Sequence, residues 1–405
     1  MGGDSYGVRM RSVAIIPARG GSRGLPRKNV ALLDGKPLIV HTIDAARAAT
    51  EVDIVVVSTD DPEIAQISEA AGAWVIERPP AIAGDTASSE SAVLHALGVL
   101  AERHGVRPEI TVFLQCTSPL TMSEDIDQTV RALVSTSADS ALAVAQCHQF
   151  LWRRSKAGSA EGINHDSTIR QRRQDREPQY VETGAVYVMR TSGFQVSKHR
   201  FFGEIAMHVM PRARVWEIDD PTDFVVARAL LQARRTHDAR ALLPFQPAAL
   251  VLDFDGVFTD NSVFLSQDGT ESVRCSRSDG AGLAQLKRAG LPMLVLSAEV
   301  NPVVGKRCEK LGLECLQGIR DKRPVLKAWL DENHIDPAHA IYIGNDLPDI
   351  PCMQAVGCGV AVADAHPRAL DAADLILQTP GGHGAIRELV DLIIDTANEQ
   401  KEASR

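Results

Sequence analysis

Paired cysteines are absent from the sequence: its seven cysteines are scattered, and none belongs to a Cys-x-x-Cys motif. An odd number of isolated cysteines suits a reducing compartment and argues against a disulfide framework or a zinc knuckle. Long hydrophobic runs are absent too, because nowhere do about 18 uncharged apolar residues follow one another, as a membrane-spanning helix requires. The first residues, MGGDSYGVRMRS, lack the apolar core of a signal peptide. We therefore expect a soluble, cytoplasmic protein that does not bind membranes.

Long basic runs are also missing, and 52 acidic residues against 43 Lys and Arg give a formal net charge of −9. Such a chain offers no matching surface to a phosphodiester backbone, so nucleic acid is not an expected partner.

The chain has 405 residues. This length exceeds one ordinary globular unit and suffices for two domains with separate cores.

Short apolar runs rich in β-branched residues alternate with helical segments in both halves of the chain. In the first half, strands are predicted over 12–18, 53–59 and 110–115, and helices near 37–49, 62–71, 88–103 and 123–135. A second series of strands is predicted over 249–255, 292–298, 340–345, 359–363 and 374–377. The alternation predicts an α/β protein with two doubly wound parallel sheets that carry helices on both faces.

The boundary between the two domains is expected at about 236–247. A helical, Arg-rich stretch (224–243) is followed by PFQP (244–247), whose two prolines end a helix and stiffen a connection. We therefore assign residues 1–240 to an N-terminal domain and residues 248–397 to a C-terminal domain.

The first predicted strand runs into a glycine- and arginine-rich turn, IIPARGGSRGLPRKN (15–29). Open α/β sheets bind ligands at the carboxyl ends of their strands, where this turn lies. Its glycines let backbone amides approach a ligand, and Arg19, Arg23 and Lys28 supply charge for several phosphates. The turn matches neither the Walker motif nor G-x-G-x-x-G. It predicts a polyphosphate site of another kind; the alternative is a solvated surface loop.

Four further motifs follow in the first half of the chain: RPPAIAGDTASSE (78–90), FLQCTSPL (113–120), the RRQD…YVETGAVYVM run (172–189) and EIDDPTDF (217–224). In this order and at about this spacing, the five pieces resemble the cytidylyltransferases that activate sialic acids and related nonulosonic acids. The resemblance covers roughly residues 12–230. It implies a nucleotidyltransferase-type, Rossmann-like domain that uses CTP as co-substrate.

The resemblance assigns roles to individual residues. Arg19 and Lys28 would act on the phosphates, and Glu217 and Asp219 would hold Mg²⁺. The residues implied in nucleotide or sugar binding are Ser22, Arg23, Asn29, Arg78, Ser89, Gln115, Thr117 and Ser118.

Chemistry supports these roles independently of the resemblance. Attack of an anomeric hydroxyl on the α-phosphorus of CTP mainly requires that two anions be positioned and that charge on pyrophosphate be neutralised. Magnesium keeps several waters, so two carboxylates on one face of an extended segment suffice. The alternative for Glu217 and Asp219 is a solvated strand end, with Asp220 capping the following helix.

The sequence departs from the family pattern at several positions. The family often has Pro at the position of Cys116, Arg at Thr121 and Asn at Thr183, and its first metal carboxylate is often Asp rather than Glu217. The departures at Thr121 and Thr183 concern the contacts to the sugar rather than the class of reaction. Cys116 is interpreted as a wall residue and not as a nucleophile.

The second half of the chain opens with LDFDGVFTD (252–260), which sets Asp253 and Asp255 two residues apart at the end of a predicted strand. Both side chains point the same way. Such a pair can act in sequence: Asp253 attacks a phosphoryl group, and Asp255 protonates the leaving alcohol and later activates water. The motif resembles the first motif of the haloacid dehalogenase superfamily.

The other motifs of that superfamily follow in order: Ser297 after a strand, Lys322 in GIRDK, and Asp346 with Asp349 in YIGNDLPDI. The resemblance implies that Ser297 and Lys322 grip the phosphate and that Asp349 orients nearby groups. Asp253, Asp255 and Asp346 would bind Mg²⁺.

The short gap between Asp255 and Ser297 leaves no room for a large cap domain, and VFLSQDGTESVRC (263–275) predicts a hairpin flap with Asp268-Gly269 as its turn. With GGHGAIREL (381–389), these features resemble the small capless phosphatases of sugar acid phosphates, whose tetramers usually complete the site. The resemblance implies a homo-oligomer, with tetramers formed through the C-terminal domain and dimers of the transferase. It also assigns sugar hydroxyls to Glu299, and the substrate carboxylate to Arg307 and Lys310.

The sequence therefore predicts a bifunctional enzyme that dephosphorylates a nonulosonate 9-phosphate and couples the free nine-carbon acid to CMP. One alternative is a cytidylyltransferase whose C-terminal domain only forms oligomers. Another is a fusion acting on the eight-carbon acid Kdo and its 8-phosphate. The C5 substituent of the sugar, acetamido or hydroxyl, stays open.

Overall fold

The computed structural model describes residues 11–21, 25–84, 87–169 and 171–403. The chain divides into two compact units, Met1–Gln232 and Ala233–Arg405. This division falls a few residues before the predicted boundary, and the residues up to Leu242 belong to a helix. Within the described ranges, no helix combines the length and the apolar composition needed to cross a bilayer.

Within its described residues, the N-terminal unit contains eleven short or medium strands, five complete helices and the first part of a sixth. The strands are β1 (Ser12–Pro17), β2 (Leu32–Leu33), β3 (Lys36–Pro37), β4 (Ile54–Thr59), β5 (Trp74–Glu77), β6 (Ile110–Leu114), β7 (Ser140–Cys147), β8 (Trp152–Arg154), β9 (Ala160–Gly162), β10 (Gln179–Arg190) and β11 (Ile205–Val209). The helices are α1 (Leu38–Ala48), α2 (Pro62–Ala70), α3 (Ser89–Arg103), α4 (Ser123–Ser135), α5 (Thr191–Ser197) and α6 (Pro221–Leu242).

Seven of these strands form one sheet in the order β11-β7-β10-β6-β1-β4-β5. Strand β1 is buried on both faces: Ala14 and Ile16 belong to one apolar cluster, and Val13 and Ile15 to another. This two-sided burial explains why the strand is continuously apolar. The predicted parallel arrangement is confirmed for β6, β1, β4 and β5, but β10 runs antiparallel to both β6 and β7.

The C-terminal unit has a second, fully parallel sheet. Its strands are β12 (Ala249–Leu252), β13 (Phe264–Leu265), β14 (Glu271–Ser272), β15 (Met293–Leu296), β16 (Glu314–Leu316), β17 (Ala340–Gly344), β18 (Cys358–Ala361) and β19 (Leu375–Ile376), and its helices are α7 (Arg277–Arg288), α8 (Pro302–Leu311), α9 (Lys322–Glu332), α10 (Ile350–Met353), α11 (Pro367–Ala372) and α12 (Ala385–Ala403). Six strands pair in the order β16-β15-β12-β17-β18-β19. The remaining two form the predicted flap, in which Phe264 pairs with Ser272 and Gly269 turns the chain at φ +84°.

Both sheets place polar residues where apolar strands end. Asp253 follows β12, Ser297 follows β15 and Asn345 follows β17, and these three parallel strands are neighbours in the sheet. In the N-terminal unit, the Arg19 loop follows β1 and Gln115 follows its neighbour β6. Neighbouring parallel strands end at the same edge of a sheet, so each set of polar side chains converges.

Candidate active sites

A cavity of about 380 Å³ lies beyond the carboxyl ends of β1 and β6. Eight residues that the sequence analysis assigned to the transferase line it: Arg19, Lys28, Asn29, Arg78, Ser89, Gln115, Thr117 and Asp219. Ser22 and Arg23, also assigned to the nucleotide, lie outside the described residues. The structure therefore brings most of the predicted nucleotide-binding residues to one cavity, with three cationic side chains among them.

The wall of this cavity is fixed by Asn29. Its Nδ2 atom donates to the Arg19 carbonyl oxygen at 3.0 Å, and its Oδ1 atom accepts from the Cys116 thiol at 3.0 Å. Burial raises the pKa of Cys116 to about 11. The thiol is therefore protonated at neutral pH, as expected of a wall residue and not of a nucleophile.

Arg78 extends the same wall from the end of β5. Its guanidinium donates to the carbonyl oxygen and the hydroxyl of Ser58, at 2.5 Å and 3.3 Å. The residue is only 6 % exposed, and burial lowers the pKa of the guanidinium. Arg78 therefore presents a positive charge that is held in place by strand β4.

Two carboxylates lie in the segment before α6: Asp219 lines the cavity, and Glu217 lies beside Thr117, which also lines it. The Oε1 atom of Glu217 accepts from the Thr117 hydroxyl at 3.2 Å, and Lys28 Nζ lies 3.6 Å from Asp219 Oδ1. Burial and the Asp219 charge raise the pKa of Glu217. A divalent cation would relieve this repulsion, and a pair of carboxylates completed by waters is the kind of site that Mg²⁺ uses. Asp220 caps α6 as predicted, accepting from the Thr222 and Asp223 amides.

The remaining transferase residues of the sequence analysis, Ser118, Thr121 and Thr183, are buried. The Ser118 hydroxyl has no hydrogen-bond partner among the described residues. Thr121 donates to the Ser118 carbonyl oxygen, and Thr183 donates to the carbonyl oxygen of Ala143. Neither threonine lines the cavity.

Sequence reasoning missed a polar network next to these carboxylates. The Tyr187 hydroxyl hydrogen-bonds to Glu182, whose charge helps to raise the pKa of Glu217. Arg200 stacks 4.5 Å from the centroid of the Tyr187 ring and donates to Glu90 on α3 at 2.7 Å. The sequence signal was the charged Glu182 in β10, just before the buried run 185–189 of the same strand.

A second cavity, of about 250 Å³, lies in the C-terminal unit beyond β12, β15 and β17. Six predicted phosphatase residues line it together with Asp349: Asp253, Asp255, Ser297, Glu299, Lys322 and Asp346. The four motifs, which are spread over the sequence from Asp253 to Asp349, thus meet at one place.

Lys322 is the centre of this second site. Its Nζ atom lies 2.7 Å from Asp253 Oδ1 and 2.8 Å from Asp349 Oδ1, and the residue is 3 % exposed. Burial alone would lower the pKa of Lys322, but the two carboxylates raise it, so the group is an ammonium. Burial and the Asp349 charge raise the pKa of Asp253 to about 7, with Lys322 opposing the shift.

Ser297 and Glu299 shape the loop after β15. The Ser297 hydroxyl accepts from the Glu299 amide at 3.0 Å, and Glu299 Oε1 accepts from the Val300 and Asn301 amides at 2.7 Å and 2.8 Å. One carboxylate oxygen of Glu299 therefore holds its own loop. The Glu299 charge adds to burial in raising the pKa of Asp255.

The oxygen atoms around Asp253 suit a hard cation. In the part of the chain that the structure describes, no three His, Cys, Asp or Glu side chains converge closely enough to form a metal-binding group. Asp346 is exposed, and its Oδ1 atom caps the Leu347 amide at 2.7 Å. Asn345 lines the same cavity, and its buried Oδ1 atom has no partner among the described residues. The cavity has more carboxylates than cationic side chains, and it also has an amide oxygen without a partner among the described residues. This combination of oxygen atoms fits Mg²⁺.

The two basic residues assigned to the substrate carboxylate do not reach this cavity in their own chain. Arg307 on α8 donates to the Ser276 carbonyl oxygen at 3.0 Å, and Lys310 is exposed near the end of the same helix. The helical spacing predicted for them is correct, but α8 directs them elsewhere.

Comparison with known proteins matches each of the two domains to a different family. Residues 13–213 match the family model described as cytidylyltransferase, and residues 311–389 match the model described as haloacid dehalogenase-like hydrolase. N-acylneuraminate cytidylyltransferase of Oncorhynchus mykiss is 28 % identical over 98 % of this chain and 93 % of its own.

The C-terminal unit has relatives of its own. The 3-deoxy-D-manno-octulosonate 8-phosphate phosphatase of Escherichia coli strain K12 is 34 % identical over 38 % of this chain and 82 % of its own. The crystal structure of the Moraxella catarrhalis phosphatase of the same name, in complex with a magnesium ion, a phosphate ion and KDO, is 28 % identical, covers 40 % of this chain and 91 % of its own, and has a TM-score of 0.37. The chain therefore belongs to the haloacid dehalogenase-like hydrolases through its C-terminal domain, which follows an N-terminal domain of the cytidylyltransferase family.

Proposed function

We propose that the protein is a bifunctional enzyme of nonulosonic acid activation. The C-terminal domain removes phosphate from a nonulosonate 9-phosphate, and the N-terminal domain transfers CMP from CTP to the anomeric hydroxyl of the free acid. The observation that carries the proposal is the presence of two separate cavities, each lined by most of the described motif residues for one of these reactions. The product of one reaction is the substrate of the other.

In the transferase, the anomeric oxygen attacks the α-phosphorus while the bond from that phosphorus to the bridging oxygen breaks. The hydroxyl gives its proton to solvent, and pyrophosphate leaves with the bridging oxygen. Arg19, Lys28 and Arg78 would neutralise the phosphates, and Gln115 with Thr117 would face the sugar acid. Mg²⁺ held by Glu217 and Asp219 would supply further charge neutralisation when bound.

In the phosphatase, a carboxylate oxygen of Asp253 attacks phosphorus, and the phosphorus–oxygen bond to the sugar breaks. Asp255 gives its proton to the leaving oxygen. It then takes a proton from the water that attacks the aspartyl phosphate, which releases phosphate and restores Asp253. Ser297 and Lys322 would hold the phosphoryl oxygens. Mg²⁺ held by Asp253, Asp255 and Asp346, with Asn345 as a further oxygen donor, would neutralise charge on the phosphate when bound.

The buried charge cluster supports an active phosphatase over a purely oligomeric domain. Lys322, Asp253 and Asp349 are all less than 9 % exposed. Burying three charged groups costs free energy that their pairing repays only in part, so their presence favours a functional role. A domain that served only for assembly would gain nothing from this cluster.

A second candidate is a fusion that acts on Kdo and its 8-phosphate. It is favoured by the name of the Escherichia coli relative of the C-terminal domain. The nine-carbon reading is favoured by the name of the relative that matches nearly the whole chain.

The proposed assembly is a tetramer formed through the C-terminal domain, with transferase dimers. Arg307 and Lys310 do not line their own cavity, so in this proposal they reach the substrate carboxylate of a neighbouring protomer. Their position on the exposed or half-buried side of α8 supports that role.

One assay tests the proposal. The purified chain is given CTP, Mg²⁺ and a panel of sugar acids, each free and phosphorylated: Neu5Ac, deaminoneuraminate and Kdo. Pyrophosphate and phosphate are followed separately. We expect pyrophosphate with free nine-carbon acids and phosphate with their 9-phosphates. Pyrophosphate with Kdo alone would favour the second candidate, and no phosphate from any ester would leave the C-terminal domain without catalysis.

A further inference from the structure

Tyr342 places a hydroxyl beneath the phosphatase cavity. The residue lies on β17, next to β12 in the sheet, and is completely buried. Its hydroxyl donates to Asp349 Oδ1 at 2.7 Å. Burial and the neighbouring carboxylates raise the pKa of Tyr342 well above its ordinary value, so the hydroxyl remains a donor.

Asp349 is saturated with donors. Its Oδ1 atom accepts from Tyr342 and from Lys322, and its Oδ2 atom accepts from the amides of Asn345 at 2.9 Å and Asp346 at 3.1 Å. A Cβ atom on Gly344 would lie 2.5 Å from Asp349 Cβ. The absence of a side chain at Gly344 therefore allows the carboxylate to sit directly against the end of β17.

Lys322 is shared between two carboxylates. Its ammonium lies 2.7 Å from Asp253 Oδ1 and 2.8 Å from Asp349 Oδ1. The Asp349 oxygen is the same atom that accepts from Tyr342. Two donors that share one acceptor oxygen compete for its negative charge, so each is held less strongly than it would be alone. By taking up part of the Asp349 charge, the tyrosine hydroxyl allows the Lys322 ammonium to stay close to Asp253.

We infer that Tyr342 is a positioning residue of the phosphatase, acting through Asp349 on Lys322. The inference rests on the proposed role of Asp253 as the nucleophile. Without the hydroxyl, Asp349 draws the ammonium away from Asp253, and less positive charge faces the phosphoryl group as negative charge develops on it. Charge that acts on the transition state changes kcat more than KM.

The test compares Tyr342→Phe with the wild-type full-length chain on p-nitrophenyl phosphate and on the sugar acid phosphate that the wild type prefers. The ring is kept, so the core keeps its shape. We expect kcat to fall about 10-fold, the effect of one hydrogen bond to a charged group, and KM to change less than about 2-fold. The inhibition constant of inorganic phosphate should stay within about 2-fold as well.

Thr396→Val is the matched control, because it also removes one buried hydroxyl of the C-terminal unit, which donates to the Leu392 carbonyl oxygen at 2.8 Å. This variant should lower the unfolding temperature without changing kcat. If Tyr342→Phe behaves like this control, the hydroxyl only stabilises the core and the inference is wrong. If the wild type hydrolyses neither substrate, the proposed phosphatase fails first and the inference fails with it.

Discussion

Lys28 Nζ lies 3.6 Å from Asp219 Oδ1 and donates to the carbonyl oxygen of Ile218 at 2.7 Å. The lysine comes from the turn after β1, and the aspartate from the segment before α6. This contact joins the first and last motifs of the transferase and places the cation beside a proposed Mg²⁺ ligand. The lysine side chain is 12 % exposed, whereas that of Asp219 is 76 % exposed.

Lys28→Ala should lower transferase kcat/KM by on the order of 10²-fold, the scale for one fixed donor to a transition state. The loss arises because the alanine leaves the triphosphate and Asp219 without their shared cation. Steady-state pyrophosphate release measures it. Lys36→Ala is the control, because Lys36 is an exposed partner of Asp44 on the same unit. If Lys28→Ala and Lys36→Ala release pyrophosphate with equal kinetics, the alternative interpretation of the Arg19–Lys28 turn as a solvated loop would hold.

Asp253→Asn should abolish phosphate release and leave pyrophosphate release within a few-fold of the wild type. The two cavities draw on different sheets and share no lining residue, and sites without shared partners are usually independent. Both products are followed on one preparation, together with circular dichroism. Loss of both activities in a folded variant would contradict two autonomous sites.

Much of this organisation can be predicted from local sequence. The apolar runs before Asp253, Ser297 and Asn345 define parallel strands, and parallel strands gather the residues at their ends. The strand and helix limits predicted around the Arg19 turn also agree with the structure to within about two residues, as local periodicity allows.

Orientation and long-range contacts could not be predicted in the same way. Strand β10 has an apolar pattern that fits either direction, and only its pairing with β6 and β7 makes it antiparallel. The hydrogen bond from Tyr342 in β17 to Asp349 depends on how the chain turns back after this strand, which the sequence pattern does not show. The direction of Arg307 depends on how α8 packs, which its spacing does not encode.

Asp125 should make the N-terminal unit sensitive to acid. Burial alone would raise the pKa of Asp125, but the nearby His208 ring, the Met122 amide and the Arg214 guanidinium hold it below its ordinary value. A depressed pKa in the folded state stabilises the fold above the unfolded pKa of about 3.9, and this stability is lost as pH falls through the folded value. We expect Asp125→Asn to cost about 2 kcal/mol at pH 7.

The difference between Asp125→Asn and the wild type should shrink as pH falls below about 4. Hydrogen exchange of helix α4 in increasing urea, corrected for intrinsic rates, measures it on the full-length chain. Arg131→Gln is the control and should show little change. Arg131 also lies on α4, and its exposed side chain pairs with Glu51. A constant difference from pH 7 to pH 3 would remove Asp125 from the acid response.

Glu299 should influence which sugar phosphate is hydrolysed. A carboxylate accepts hydrogen bonds from hydroxyls and repels another carboxylate. We expect deaminoneuraminate 9-phosphate to be preferred over Kdo 8-phosphate by at least ~10-fold in kcat/KM, about 1.4 kcal/mol. Glu299→Arg should narrow or reverse that ratio. Glu299→Gln, whose amide oxygen can still accept from Val300 and Asn301, separates the effect of charge from that of loop shape. An unaltered ratio in the arginine variant would leave a generic sugar phosphatase.

Gly184 should be needed for full transferase activity because the Glu217 carboxylate lies against it. Its φ is +69°, and a Cβ atom added there would lie 2.9 Å from Glu217 Oε2. Gly184→Ala must therefore displace the carboxylate that Thr117 holds. We expect kcat/KM for pyrophosphate release to fall by at least ~10-fold and the Mg²⁺ concentration for half-maximal rate to rise.

Gly35→Ala is the matched control for this change. Gly35 also has a positive φ, +82°, but an added Cβ atom there meets nothing within 4 Å. Both variants carry the backbone strain of alanine in this conformation, which costs on the order of 1 kcal/mol. Only Gly184→Ala moves Glu217, so a shift in the Mg²⁺ requirement in that variant alone would tie Glu217 to the cation. The same shift in both variants would assign the effect to strain and count against Glu217 as a ligand.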